Sequence, residues 1–263
     1  MLSLTPTWRR VGADRALRSA RVTGTDSTSA TSATIGFGPA IGTWAVAWIG
    51  GTIVAVPLVI SALGASLGDD LTIPQLTAAS VATWTVMVVA LVVASRRFGT
   101  GDVLADYAVS FRPIDILGVP LGVATQLAFV PFLYLPLRAV WPDTFSDDQI
   151  EERAQELADR ADGWTTVLLV LVVVVGAPIV EELVYRGLLQ RSVSALVGAG
   201  FGLVSTSAWF ALIHFSPVEY PGLFLAGFVF GGCVVATGRI GPAIVTHAAF
   251  NATGLVVVLD WVG

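Results

Sequence analysis

The sequence predicts an all-α membrane protein, a polytopic helical bundle of about seven to eight transmembrane helices. Two observations carry that prediction. Hydrophobic residues make up 55% of the chain and charged residues 13%, whereas ordinary soluble domains are about a quarter charged. Several apolar stretches also reach the roughly 20 residues that a spanning helix needs. A bilayer offers no partner for exposed backbone groups, so stretches of this kind satisfy their own hydrogen bonds as helices.

Residues 1–35 read as a flexible cytoplasmic tail. Arg9, Arg10, Arg15, Arg18 and Arg21 precede the low-complexity run Thr23 to Thr34, a composition that buries too little apolar surface to fold. No apolar core precedes Ile35, so the start of the chain lacks a signal-peptide pattern. Residues 36–263 form the membrane-embedded domain, with spans predicted at 38–64, 73–95, 114–138, 164–189, 197–215, 221–238 and 241–260. All fourteen basic residues are arginines. Those of the tail, the 96–112 connection, an Arg186/Arg191 turn and Arg239 alternate with acidic or weakly charged connections, which by the positive-inside rule puts the N-terminus in the cytoplasm of a plasma membrane and the C-terminus outside. The exterior connections are Gly68-Asp69-Asp70 and Pro142 to Trp164. In the longer one, Ser146 to Gln149 resembles a capping box, and Ile150, Ala154, Leu157 and Ala161 make a narrow apolar stripe. It reads as an amphipathic helix lying on the bundle, a solvated connector in preference to a gate. Gly198/Gly202 and Gly227/Gly231 have the spacing that lets helix backbones approach closely in lipid.

Composition also excludes functions. A net charge of -5 argues against a nucleic-acid partner, since phosphate binding needs clustered positive charge. The single cysteine, Cys233, lies in an apolar span and reads as a packed, inert thiol, with no disulfide framework and no cysteine-rich metal site.

The chemistry is concentrated in three polar pairs inside apolar spans. Glu181 and Glu182 are adjacent carboxylates at bilayer depth, where charge is expensive and marks function. On an α-helix, residues four apart share a face and neighbours are rotated by about 100°. Glu182 therefore faces Arg186 and pairs with it, while Glu181 points elsewhere, beside Tyr185. Burial without a cation raises a carboxyl toward the range of a general base. His247 and Asn251 share a face and could position a water or polarise a carbonyl oxygen. His214 lies one turn beyond Phe210, whose ring can buttress it.

At these residues the chain resembles the CAAX-protease and bacteriocin-processing (CPBP) family of intramembrane proteases, which includes the Ras-converting prenyl-protein endopeptidases. The motifs are Glu181-Glu182-Leu183-Val184-Tyr185-Arg186, Phe210-Ala211-Leu212-Ile213-His214 and His247-Ala248-Ala249-Phe250-Asn251. The resemblance covers roughly 164–260. It implies a membrane-associated peptide or protein substrate, prenylated or otherwise, and a membrane-embedded site without a cofactor. Glu181 and His214 would activate the attacking water, His247 with Asn251 would stabilise the oxyanion, and Glu182 with Arg186 would hold the site together.

Other readings compete. Glu181, His214 and His247 could ligate zinc with water in the open position, although no His-Glu-x-x-His is present and asparagine is a poor zinc ligand. Gly64-Ala65-Ser66-Leu67-Gly68 matches a nucleophile elbow but lacks the strand-turn-helix context. A transporter, an immunity protein or a non-enzymatic scaffold could use the same carboxylates as an ion or peptide site. An intramembrane endopeptidase of a prokaryotic plasma membrane is the expected function.

Overall fold

The computed structural model describes residues 34–259, so residues 1–33 of the predicted tail lie outside the described residues, while Ile35 at the end of that predicted tail is buried in the core. Every regular element among them is helical. Six helices are long and apolar enough to cross a membrane: α1 (Phe37–Ala62), α2 (Ile73–Phe98), α3 (Pro113–Val140), α5 (Trp164–Val197), α7 (Tyr220–Thr237) and α8 (Gly241–Val258). Between α3 and α5 lies α4 (Asp147–Asp159), and between α5 and α7 lies α6 (Ala199–Leu212).

Two sequence expectations change here. The predicted 197–215 span is only the 14-residue α6. At 1.5 Å per residue that is about 21 Å, short of a hydrocarbon core of about 30 Å. The apolar run continues through Ile213 and Phe215, but the backbone leaves the helix there. The proposed Arg186/Arg191 turn is also absent, because α5 continues to Val197 and both arginines lie within it. Arg186 is 1% exposed, so its charge is neutralised inside the protein and says nothing about a loop.

Proline shapes three of the long helices. In α1, α3 and α5 the hydrogen bonding widens from i→i+4 to i→i+5 over Ile49–Ala55, Thr125–Phe129 and Leu171–Gly176. Each widened segment ends two residues before a proline: Pro57, Pro131 and Pro178. Proline has no N–H to donate and its ring clashes with the carbonyl four residues earlier. The preceding turn opens to accommodate it, as is tolerated in membrane helices. A fourth widened segment, Glu182–Gln190, has no proline after it. It carries the first motif, and such segments are frequent at functional sites.

Segment Glu182–Gln190 is also deeply buried, with every residue but Leu183 buried. Glycines let its neighbours close in. A Cβ on Gly187 would stand 3.0 Å from Cβ of Tyr107, and one on Gly227 would meet Phe210 and Arg186 at 3.2 and 3.3 Å. A Cβ on Gly231 would lie 2.5 Å from Oε1 of Gln190. The Gly227/Gly231 spacing therefore serves close packing of α7. Of the other pair, Gly202 packs against Ser194, while Gly198 has open space and φ 93° and makes the α5–α6 turn. Helices α3 and α8 pack through Gly118 and Gly122, where added Cβ atoms would run into Thr246 and Ala249. Arg239 pins the α7–α8 turn to the start of α3 with two bonds to Asp115, at 2.8 and 2.7 Å.

Candidate active site

The polar cluster starts from α5 and α8. Oε1 of Glu182, fully buried, accepts from Arg186 Nη1 at 3.0 Å and from His247 Nδ1 at 2.9 Å. The other side of the imidazole faces the neighbouring carboxylate, with His247 Nε2 3.9 Å from Glu181 Oε2. Glu181 therefore has the His247 ring as a neighbour, because that one imidazole lies between both carboxylates. The reason is local geometry. A turn closed by i→i+5 bonds holds more residues than an α-turn, so adjacent side chains diverge by less than in a regular helix. At the junction where α5 widens, Glu181 and Glu182 both reach His247.

Aromatic rings enclose the cluster. Phe230 stacks on His247 with centroids 4.5 Å apart, and Phe210 meets it edge-on at 5.8 Å. Phe210 also lies under the Arg186 guanidinium at 4.5 Å and against Tyr185 at 5.3 Å. Arg186 is further held by the Gly227 carbonyl at 3.0 Å. Ring faces stabilise a desolvated guanidinium, so the Arg186 charge is compensated by Glu182, by a carbonyl and by two phenyl rings.

Phe210 connects this cluster to His214, whose ring it touches at 4.9 Å. His214 Nδ1 lies 2.6 Å from the Phe210 carbonyl. A carbonyl only accepts, so Nδ1 carries the proton and Nε2 is left as the ring's basic nitrogen. The next residue, Phe215, has φ 53°, a strained conformation for a bulky side chain of the kind that collects at functional sites. Asn251, one turn after His247, donates from Nδ2 to the Val173 carbonyl at 2.8 Å. That bond fixes the amide and leaves a second N–H.

A cavity of about 390 Å³ runs along α3, α4, α5, α7 and α8, and its walls include His214 and Asn251. Glu181 and His247 are not among its lining residues. Because Asn251 is one turn from His247, the inner end of the cavity comes within a turn of the carboxylate–imidazole cluster. The structure thus gathers Glu181, Glu182, Arg186 and His247, joins His214 to them through Phe210, and sets His214 and Asn251 in the cavity wall. Among the described residues no three His, Cys, Asp or Glu side chains are grouped to hold a metal ion.

Sequence reasoning missed the other polar groups of this cavity. Gln126 and Tyr134 come from α3, and Glu219 from the α6–α7 connection. Tyr134 holds that connection in place, donating to the Val218 carbonyl at 2.7 Å and accepting from Gly222 N at 3.2 Å. The apolar stripe of α4 also faces inward, since Ile150, Ala154 and Leu157 line the cavity. That departs from the reading of α4 as a solvated connector. A lone polar residue in an apolar span, as at Gln126, was the available signal. Ser66 of the apparent nucleophile elbow lies in the α1–α2 turn, where its N–H bonds Asp69 Oδ2 at 2.7 Å.

Residues 163–253 match the family described as Rce1-like, type II CAAX prenyl endopeptidase Rce1-like, and that segment holds all three motifs. No curated protein and no solved structure matches the chain significantly.

Proposed function

We propose that this chain, whose residues 163–253 match the Rce1-like, type II CAAX prenyl endopeptidase family, hydrolyses peptide bonds of membrane-associated substrates with a water activated by Glu181. The observation that carries the reading is the imidazole of His247 held between two carboxylates, one helical turn from Asn251 in the cavity wall. Protonated on both nitrogens, His247 donates Nδ1–H to Glu182 and presents Nε2–H on the side of Glu181. Glu181, the more accessible carboxylate, takes a proton from water as the water oxygen attacks the scissile carbonyl carbon. His214 Nε2 accepts a hydrogen bond from the same water and orients it. The resulting oxyanion is stabilised by His247 Nε2–H and the second N–H of Asn251. Collapse breaks the C–N bond, Glu181 returns the proton to the leaving amine, and a carboxylic acid and an amine depart. Glu182 and Arg186 fix the orientation of His247 and take no part in proton transfer.

The test is turnover of a quenched-fluorescent peptide by purified protein. Glu181→Gln removes nearly all turnover and leaves peptide binding intact, because the amide cannot take the proton. Asn251→Ala lowers kcat by about 10²–10³, the loss of one oxyanion donor. A chelator leaves the rate unchanged. Inhibition by chelation that zinc reverses would replace the metal-free mechanism with a metal-dependent one. Full turnover in Glu181→Gln would sink the assignment and favour a scaffold, an immunity protein or a transporter.

A further inference from the structure

The N-terminal half of the chain lies outside the family match, yet it supplies one wall of the cavity. Along α3 the residues Gly118, Gly122, Gln126, Val130 and Tyr134 recur every four positions. The glycines press against α8, and the last three line the cavity. Gln126 is the odd member of this stripe. It lies in the widened segment Thr125–Phe129, and its carboxamide lies over Gly254 of α8, where a Cβ would stand 3.3 Å from Nε2 and 3.5 Å from Cδ. Gly254 therefore leaves room for the amide. Gly254 is three residues beyond Asn251, so Gln126 stands beside the inner, polar end of the cavity.

A carboxamide within a membrane helix has two ordinary uses. It can join two helices by a hydrogen bond, or it can serve a ligand. Among the described residues the first use is not realised. Tyr134 and Asn251 both bond backbone groups, but Gln126 forms no hydrogen bond although α8 lies against it. Gln126 is only half-buried and lines the cavity, so a ligand that enters the cavity can take up both its donor and its acceptor.

We infer that Gln126 is a substrate-binding residue, reading the backbone of an extended apolar peptide laid in the cavity. It would accept a backbone N–H at Oε1 and donate Nε2–H to a backbone carbonyl. Either orientation of the amide offers one donor and one acceptor, the pair that an extended peptide presents. The apolar walls, among them Val130, Leu157, Val173 and Leu223, suit apolar side chains on that peptide. This inference rests on the protease reading and adds to it a recognition element outside the three motifs.

The experiment uses the full chain in detergent and a quenched, apolar octapeptide that the parent cleaves, with each backbone N–H replaced in turn by an ester oxygen. Binding is measured in the Glu181→Gln background, turnover in the active protein. Gln126→Leu and the near-isostere Gln126→Met raise KM about tenfold or more, lower kcat less, and leave Tm equal to or above the parent's. One ester position weakens binding to Glu181→Gln about tenfold, and that penalty disappears when Gln126→Leu is added. A structural role for Gln126 would not single out one backbone position. If both Gln126 variants bind and cleave the whole ester series as the parent does, the inference is wrong while the protease reading stands. If the parent cleaves no peptide and Glu181→Gln behaves as the parent, the protease reading falls and takes this inference with it.

Discussion

Glu182 receives two donors on a single oxygen, and this decides how its neighbours respond to substitution. Arg186→Leu leaves a buried carboxylate without its main counter-charge and costs about 3–5 kcal/mol of stability. Replacing both members, as in Glu182→Leu with Arg186→Leu, costs less because no unpaired charge remains. The double variant nevertheless stays inactive, since His247 has lost the acceptor of its Nδ1–H. Thermal unfolding in detergent and peptide turnover, measured together, separate the two roles. A single Arg186→Leu variant that melts like the parent would show that the pair is not structural. Asp106 offers a second test, outside the spans. Burial pushes its carboxyl up, but hydrogen bonds from Ser95 Oγ at 2.6 Å and from Thr100 outweigh it and hold the group below its ordinary value of 3.8. A folded pKa below the unfolded one means that this stability is fully present above 3.8 and is lost as pH falls through the lower folded value. Tm of the parent therefore drops on acidification below that range, and Asp106→Asn shows a flatter acid limb. Equal slopes would contradict the assignment.

At the scale of elements, the sequence is most legible where one physical quantity decides. Length and apolarity place the six long helices, and i, i+4 spacing finds the three polar pairs on shared faces. It is least legible where backbone geometry departs from the α-helix. A rotation of 100° per residue separates Glu181 from Glu182, but the i→i+5 bonding over Glu182–Gln190 brings both to His247. Arg186 looks like a loop charge because nothing in the sequence near it reveals Phe210, Phe230 or His247 as partners. Gln126 has no motif, and only the packing of α3 on α8 shows where its amide lies. The amphipathic stripe of α4 was visible, whereas the face it covers was not. Since Ala154 of that stripe lines the cavity, Ala154→Trp fills the space beside it. The expected outcome is a fall in kcat/KM of about tenfold or more, equivalent to about 1.4 kcal/mol, at unchanged Tm. Unchanged kinetics in a folded Ala154→Trp protein would mean that substrate does not use the cavity beneath α4.

For the molecule as a whole, depth connects the site to topology. Helix α5 starts at Trp164, at the end of the bundle where α4 lies, and Glu181 follows 17 positions later, about 25 Å down a helix rising 1.5 Å per residue. The cavity beneath α4 spans this distance only in part, and Asn251 in its wall lies one helical turn from His247 of the carboxylate–imidazole cluster. The short α6 fits the same arrangement. Its end at Leu212 leaves His214 in the cavity wall, where Tyr134 anchors the 213–219 connection through Val218 and Gly222. Orientation then decides from which side of the membrane substrate enters. The arginines at 96, 97, 112 and 239 lie at the end opposite α4, from which the positive-inside rule predicts a cytoplasmic face there and α4 outside. Three crossings separate the tail from α4 whatever the role of α6. With Cys233 replaced by alanine, Ser29→Cys and Thr144→Cys are therefore expected to react with a membrane-impermeant maleimide from opposite sides of intact cells and inverted vesicles. Thr144 is preferred to Ser146, whose side chain caps α4 by accepting from Gln149 N at 3.3 Å. Labelling of Thr144→Cys in intact cells and of Ser29→Cys only in inverted vesicles gives the predicted orientation, with substrate arriving from outside. The reverse pattern inverts the protein and opens the cavity to the cytoplasm, and labelling of both from one side removes one of the three crossings.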